Sequence, residues 1–451
     1  MSHSTLPSLS SLATQLDNAG TSSVELTQTA LTRAGTGEGS KVYTRVFQQQ
    51  ALAAATASDE LRKAGLKRSV IDGLPLSVKD LFDIKGEPTL SGSVVLRDTP
   101  VAQRNAKVVQ RLMNAGAVVI GTTNMTEFAY SGLGLNPHYG TPRNPWEREI
   151  GEGRIPGGSS SGAAISVTDG MATAAIGSDT GGSVRIPSAL CGLTGFKPTA
   201  SRVSQEGVLP LSTTLDSIGP LAPTVACCEI LDGIMSGDND APVAAKPLKG
   251  LRLLAPSNAV TDGLDAHVAA CYAQTLSTLS AAGAIIVEQA VAPFDQLPGI
   301  NSQGGFIAAE AWAWHRHFIA DKADEYDPRV VSRIRRGKDI SAADYIDLLQ
   351  RRSVWIQAVE QQLADFDAMI MPTVPVVAPT IAELQDDDVY HKTNLLILRN
   401  PTFINFLDGC AVSLPCHAAG TAPVGFSIAA AGGKDRTVLA IAKSVEALLQ
   451  Q

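Results

Sequence analysis

Residues 156–199 read PGGSSSGAAISVTDGMATAAIGSDTGGSVRIPSALCGLTGFKPT. Two Gly/Ser clusters, residues 157–162 and 181–183, flank an apolar segment of small residues. Residues 172–179 read as a strand, Thr180-Gly181-Gly182 as a tight turn, and residues 184–190 as a short helix. In such a unit the N–H groups of residues 180–183 can converge on one oxygen. Glycine allows close approach, and the helix N-terminus adds partial positive charge. No Gly-Lys-Ser/Thr closes the GSDTGGS string, so it is not a Walker loop. Taken alone the string reads first as a glycine turn, and the GGSSSG run as a flexible linker. The linker reading is weakened by Ala163-Ala164-Ile165, an apolar continuation that a linker does not need.

The flanking sequence alternates strand and helix patterns. Two amphipathic helical patterns occupy residues 7–33, with Leu9, Leu12 and Leu16 on one face. Residues 41–64 read as a further helix, so N-terminal helices cover about 7–64. Residues 73–80 (GLPLSVKD) read as a buried strand ending in charge, residues 108–112 as helix, and residues 117–120 as a strand followed by Gly121. Residues 251–254, 285–287 and 368–371 are compact apolar runs, with a long helix at 265–279 between the first two. This alternation predicts an α/β fold with a mixed β-sheet core. The charged segment 318–355 reads as a solvated helical pair over that core. The run Asp386-Asp387-Asp388 reads as a solvated loop rather than a metal site, because consecutive carboxylates point in different directions.

With 451 residues, 44% of them hydrophobic and 18% charged, the chain can bury a large core as one unit or as two or three domains. A net charge of −8 argues against a nucleic-acid partner, which calls for clustered Lys and Arg. The six cysteines form no C-x-x-C pair and sit in apolar surroundings, which predicts buried free thiols. The N-terminus lacks a basic, then apolar, leader pattern, and no run of about 18 apolar residues suggests a membrane span. The expectation is a soluble cytoplasmic protein.

Amide hydrolysis needs a nucleophile, a base, an acid for the leaving amine, and donors for the oxyanion. Ser183, after the glycine turn and ahead of the short helix, is the candidate nucleophile, and Ser159 in the first Gly/Ser cluster is a second hydroxyl. Lys79 ends the apolar strand LPLSV. Burying an ammonium strips its hydration, which lowers the pKa and favours a neutral base. The competing reading of Lys79 is a lysine that reaches the surface or pairs with Asp80 or Asp83. His138, His315, His317 and His417 show no H-E-x-x-H spacing, and no G-x-S-x-G elbow appears in a convincing setting. A Ser/Lys design therefore outranks Ser/His/Asp.

Together these residues closely resemble the amidase signature family. Its glycine- and serine-rich signature matches residues 157–162 and 177–199, with further matches at 73–80, 116–128 (GAVVIGTTNMTEF), 139–146 (YGTPRNPW), 215–220 (LDSIGP) and Pro415. The resemblance covers nearly the whole chain. It implies a single α/β domain over residues 1–451, with a mixed sheet flanked by helices on both sides. It also implies a Ser–cis-Ser–Lys triad. Ser183 would be the acylated serine, Ser159 the bridging serine after a cis Gly158–Ser159 peptide, and Lys79 the base. The amides of Thr180, Gly181, Gly182 and Ser183 would form the oxyanion hole, with Ser160 and Asp179 supporting the site and Arg185 structural. Ala129 and Tyr130 fall near the family's acyl pocket. Phe128, Tyr130, Phe306, Trp312 and Phe406 read equally as an aromatic-friendly pocket wall or as core.

The implied activity is hydrolysis of the C–N bond of a small linear carboxamide, giving carboxylate and ammonia or amine through a Ser183 acyl-enzyme. No metal or organic cofactor is implied. The partner is a small-molecule amide, with no membrane or nucleic acid, and a homodimer is the family-based expectation. The alternative is the glutamine-hydrolysing A subunit of a tRNA-dependent amidotransferase. Two departures favour a free-standing amidase. Leu398 falls where those subunits carry an acidic residue for the glutamine amino group, and residues 128–131 are more apolar than charged.

Overall fold

Eleven strands form one mixed sheet in the computed structural model, which describes residues 6–238 and 240–450. The strands are β1 (Tyr43–Val46), β2 (Pro75–Lys79), β3 (Val118–Thr123), β4 (Ala174–Asp179), β5 (Thr194–Lys197), β6 (Ser217–Ala222), β7 (Arg252–Pro256), β8 (Ile285–Gln289), β9 (Ala368–Pro372), β10 (Cys410–Pro415) and β11 (Gly425–Ala430). Their order across the sheet is β1-β3-β2-β4-β6-β5-β10-β11-β9-β7-β8. The β3/β2/β4 and β8/β7/β9 neighbours run parallel, and the remaining pairs are antiparallel.

Helices cover both faces, and residue parity shows it. Ala174 and Ile176 of β4 join the apolar cluster that holds Val108, Leu231 and Val438 from helices on one face. Ala175 joins the cluster of Ala51, Ala163 and Ile165 on the other. Alternate strand residues point to opposite sides, so a strand buried on both reads as a continuous apolar run. That is how β9 (AMIMP) is written, while β2 and β4 are as fully buried but carry Ser77, Lys79, Ser178 and Asp179. Among the described residues no helix is long and apolar enough to cross a membrane. The six cysteines are free thiols; Cys191, Cys227, Cys228 and Cys410 are buried, while Cys271 and Cys416 are half-buried.

Four local expectations change. Residues 41–64 are not one helix, because Tyr43–Val46 pairs antiparallel with β3 before the helix Gln48–Lys63 begins. An aromatic and β-branched run fits a pleated edge. Gly121 lies inside β3 rather than after it, and a side chain there would meet the Arg45 carbonyl at 2.2 Å. The segment 318–355 falls across three helices, Gly305–Lys322, Pro328–Arg335 and Ala342–Leu363. Asp327 caps the second with Pro328 at its first position, and Ser341 with Asp344 forms a capping box on the third. Asp386–388 is not a loop: Asp386 caps the helix Asp387–Phe406, accepting from the Asp388 and Val389 N–H groups at 2.9 and 3.0 Å. Asp387 and Asp388 then sit at that helix's positive end.

Candidate active site

The parallel β2–β4 ladder pairs Leu76 with Ala174 and Val78 with Ile176. Ser77 and Lys79 therefore share a face, the one carrying the helix Ser161–Thr168, where Ser77 Oγ lies 2.8 Å from Ser166 Oγ. The loop leading into that helix holds Ser159, after a cis Gly158–Ser159 peptide. Lys79 Nζ donates to Ser159 Oγ at 2.8 Å and to Ser178 Oγ at 2.9 Å. Among the described residues no carboxylate bonds Lys79, and both surface escape and a pair with Asp80 are excluded by its complete burial among these hydroxyls. Burial pushes the Lys79 amine down to about 7, against the opposing pull of Asp216 and then Asp179.

The turn after β4 brings Ser183 to the same place. The Ser183 carbonyl accepts the Ser160 N–H at 3.3 Å, so the two serine-bearing segments are joined one residue beyond Ser159. Ser160 fits only because Gly177 has no side chain; a Cβ there would stand 2.6 Å from Ser160 Oγ. Gly182 has φ +121°, and a Cβ on it would meet Ile186 and Pro401 at 2.6 Å. Glycine is required at that position by both conformation and space.

Asp179 organises this turn. Its carboxylate accepts the N–H groups of Gly182 (2.8 Å), Val184 (3.2 Å) and Arg185 (3.3 Å). The Arg185 guanidinium closes on it through Nε at 3.0 Å and a terminal nitrogen at 2.9 Å, both side chains fully buried. Burial alone would raise the Asp179 carboxyl, but Arg185, Lys197 and Asn405 together hold it well below the usual carboxylate range. Arg185 is thus structural. Of the four amides expected to face an oxyanion, Gly182 N–H donates to Asp179 at 2.8 Å in this structure.

Three groups of this site were not singled out from the sequence. Ser178 is a second hydroxyl acceptor for Lys79, beside Ser159. Asn405, on the helix Asp387–Phe406, donates to the Asp179 carbonyl and carboxylate at 2.9 Å each and accepts from Arg185 at 2.7 Å. Asp216 accepts the Thr180 hydroxyl at 2.5 Å. Asp216 sits within the LDSIGP run, and the β4–β6 register is what carries it to the turn.

The predicted pocket residues divide. Phe128 is core, its ring 4.3 Å from His315 and 5.4 Å from Tyr326. Phe306 and Phe406 face each other in a separate buried cluster, with centroids 6.0 Å apart, and Trp312 packs at the edge of the main core. Ala129 is buried in a left-handed conformation, φ 60°. Tyr130 is half-buried, its carbonyl accepting from Arg333, whose guanidinium lies 5.4 Å from the Tyr130 ring centre. Two residues on, the Gly132 carbonyl accepts the Gly158 N–H at 2.8 Å, linking this loop to the cis peptide. Leu398 and Thr402, one turn apart on the helix Asp387–Phe406, lie 3.6 and 3.4 Å from where Gly181 would carry a side chain.

A family model described as Amidase matches residues 25–439. The 2-amino-5-chloromuconic acid deaminase of Comamonas testosteroni is 34% identical over 410 residues, covering 89% of this chain and 87% of that protein. The A subunit of the glutamyl-tRNA(Gln) amidotransferase from Chloroflexus aggregans is 31% identical, covering 93% of this chain and 91% of the relative. A solved amidase structure superposes with a TM-score of 0.87 at 28% identity, covering 98% of this chain and 99% of the other.

Proposed function

This chain belongs to the amidase family, and from that premise we propose that it hydrolyses the C–N bond of a small linear carboxamide through an ester on Ser183. The observation that carries the proposal is the buried Lys79 amine bonded to Ser159 at 2.8 Å. A lysine whose burial brings it to about 7 is half neutral near neutral pH and can accept a proton. In the proposed reaction Ser159 passes its proton to Lys79 and takes one from Ser183. Ser183 Oγ then bonds the carbonyl carbon, and the oxyanion rests against the Thr180, Gly181 and Ser183 amides. Ser159 returns a proton to the nitrogen as the C–N bond breaks. Water next attacks the ester, giving its proton to the same relay, and Ser183 leaves with a proton restored. Preorganised donors of this kind contribute about 10²–10³ in rate each.

The acyl side of the site supports amides that carry a carboxylate. Arg333 donates to the Tyr130 carbonyl and, among the described residues, has no carboxylate partner. Arg329, one turn earlier, is closed by Asp387 at 2.7 Å. Next to Gly181 stand Leu398 and Thr402, neither of them charged. An anion is thus attracted by Arg333, and neither Leu398 nor Thr402 would pair with an ammonium, which favours an acidic acyl chain over glutamine. The deaminase relative is named for an acid. The second reading, a glutamine-hydrolysing subunit, draws on the amidotransferase relatives.

A panel of amides in matched pairs, with and without a terminal carboxylate and including glutamine, tests both readings. Release of ammonia or amine should depend on Ser183, and Ser183→Ala should remove it. Arg333→Met should raise KM for the carboxylate-bearing members about tenfold or more and leave their neutral partners unchanged. Full turnover by Ser183→Ala would end the proposal. Preference for glutamine would favour the second reading.

A further inference from the structure

We propose that Asp216 is a positioning residue for this hydrolysis, fixing the 180–183 turn through the Thr180 hydroxyl. The inference rests on the Ser183 acyl-enzyme reading above and extends it to a residue outside the relay.

The β4–β6 ladder pairs Asp179 with Ser217, so the next position outward sets Thr180 against Asp216. There the Thr180 hydroxyl donates to Asp216 Oδ1 at 2.5 Å, while the Leu211 and Ser212 N–H groups donate to Oδ2 at 3.0 and 3.1 Å. The carboxylate is 6% exposed and, among the described residues, is contacted by these neutral donors and by no cation. A loop immediately before β6 thereby grips the first residue of the candidate oxyanion turn. That loop is itself anchored. Glu310, on the helix Gly305–Lys322, accepts the Ser212 hydroxyl at 2.7 Å, the Thr214 N–H at 3.1 Å and the Tyr345 hydroxyl at 2.7 Å.

Asp179 ends β4 with the buried Arg185 closed on it. Asp216 has no such partner, and burial pushes its carboxyl up to about 6 against the Thr180, Ser212 and Leu211 donors, with Glu310 adding to the rise. The Thr180 hydroxyl is therefore the contact through which Asp216 holds the turn, and removing that hydroxyl should loosen it.

The rate of Ser183 labelling by a fluorophosphonate, measured from pH 7 to 9 on the full chain, tests this without knowledge of the substrate. Thr180→Val should slow labelling about tenfold at every pH, and Thr180→Ser, which keeps the hydroxyl, should recover most of the loss. Asp216→Ala should slow labelling at least as much, and adding Thr180→Val to it should cost little more, because both remove the same contact. Wild-type labelling by Thr180→Val, or a Thr180→Ser no faster than Thr180→Val, would overturn the positioning role. If Asp216→Ala fails to fold, the two Thr180 variants decide. A wild-type chain that takes no label sinks the hydrolytic reading itself, an outcome distinct from any of these.

Discussion

Lys79→Met should make this protein more stable while ending its chemistry. The Lys79 side chain is wholly buried, and burial takes the amine from an ordinary value of 10.5 to about 7. At 1.36 kcal/mol per unit, that shift corresponds to about 4–5 kcal/mol of folding free energy forgone at neutral pH. Methionine has a similar length and no charge to desolvate. Against this gain, the Ser159 and Ser178 hydroxyls lose a partner, which costs about 1–1.5 kcal/mol each. The balance is a net gain of about 2 kcal/mol, a rise of a few degrees in Tm for a chain of this size. The pH dependence identifies the cause. Between about pH 7 and 10.5 the unfolded chain holds a proton at this lysine that the folded chain has lost, so wild-type stability rises with pH across that window. Below about 7 both states are protonated and the deficit is constant. The advantage of Lys79→Met should be largest at or below pH 7 and shrink toward pH 10. Paired thermal melts at pH 6.5, 8 and 9.5 measure it. A variant that melts below wild type at pH 6.5, with a gap that ignores pH, would refute the reasoning.

The same ionisation sets the acid limb of the reaction. Ser183 acylation should fall about tenfold per unit below pH 7 and level off above about pH 8, and a flat profile from pH 5 to 9 in the labelling assay would remove Lys79 as the base. Arg185→Met leaves the Asp179 carboxylate buried without its cation and should cost about 3–5 kcal/mol at pH 7, seen as a lowered denaturation midpoint. The pair's stabilisation is present above the unfolded carboxyl value of about 3.9 and fades as pH falls through the lower folded value. In the variant Asp179 is freed to take up a proton in acid, so the deficit should narrow toward pH 4. A deficit equal at pH 4 and 7 would mean that lost packing, not an orphaned charge, is responsible.

What could be read from the sequence was local. The turn between β4 and its following helix announces itself through Thr180-Gly181-Gly182, because left-handed backbone and close approach select glycine. Lys79 announces itself because an ammonium at the end of an apolar strand needs a reason to be there. Residues 41–46 misread for the opposite cause: the helical pattern of residues 48–63 was extended over a short strand whose pairing partner, β3, lies two helices and a strand further along the chain. Asn405 was invisible for the same reason. Nothing near it in NPTFINF marks a side chain that crosses to Asp179, and a contact 226 positions apart in sequence is set by how the helix Asp387–Phe406 lies over the sheet.

Gly182 shows a subtler limit. Counting amides in the turn finds four donors, and chemistry alone makes them equivalent. The Asp179 carboxylate breaks that equivalence by accepting one of them, from Gly182, at 2.8 Å, so that donor fixes the turn. The two buried aspartates of the site divide the work along the same line. Asp179 is bound to Arg185, which makes it a strut with its counter-ion beside it. Asp216, opposite the next residue of the ladder, meets only neutral donors, and burial pushes its carboxyl up to about 6. Neither role is written in the residue type. Each follows from what lies beside the carboxylate: a guanidinium and the turn amides at Asp179, a hydroxyl and two loop amides at Asp216.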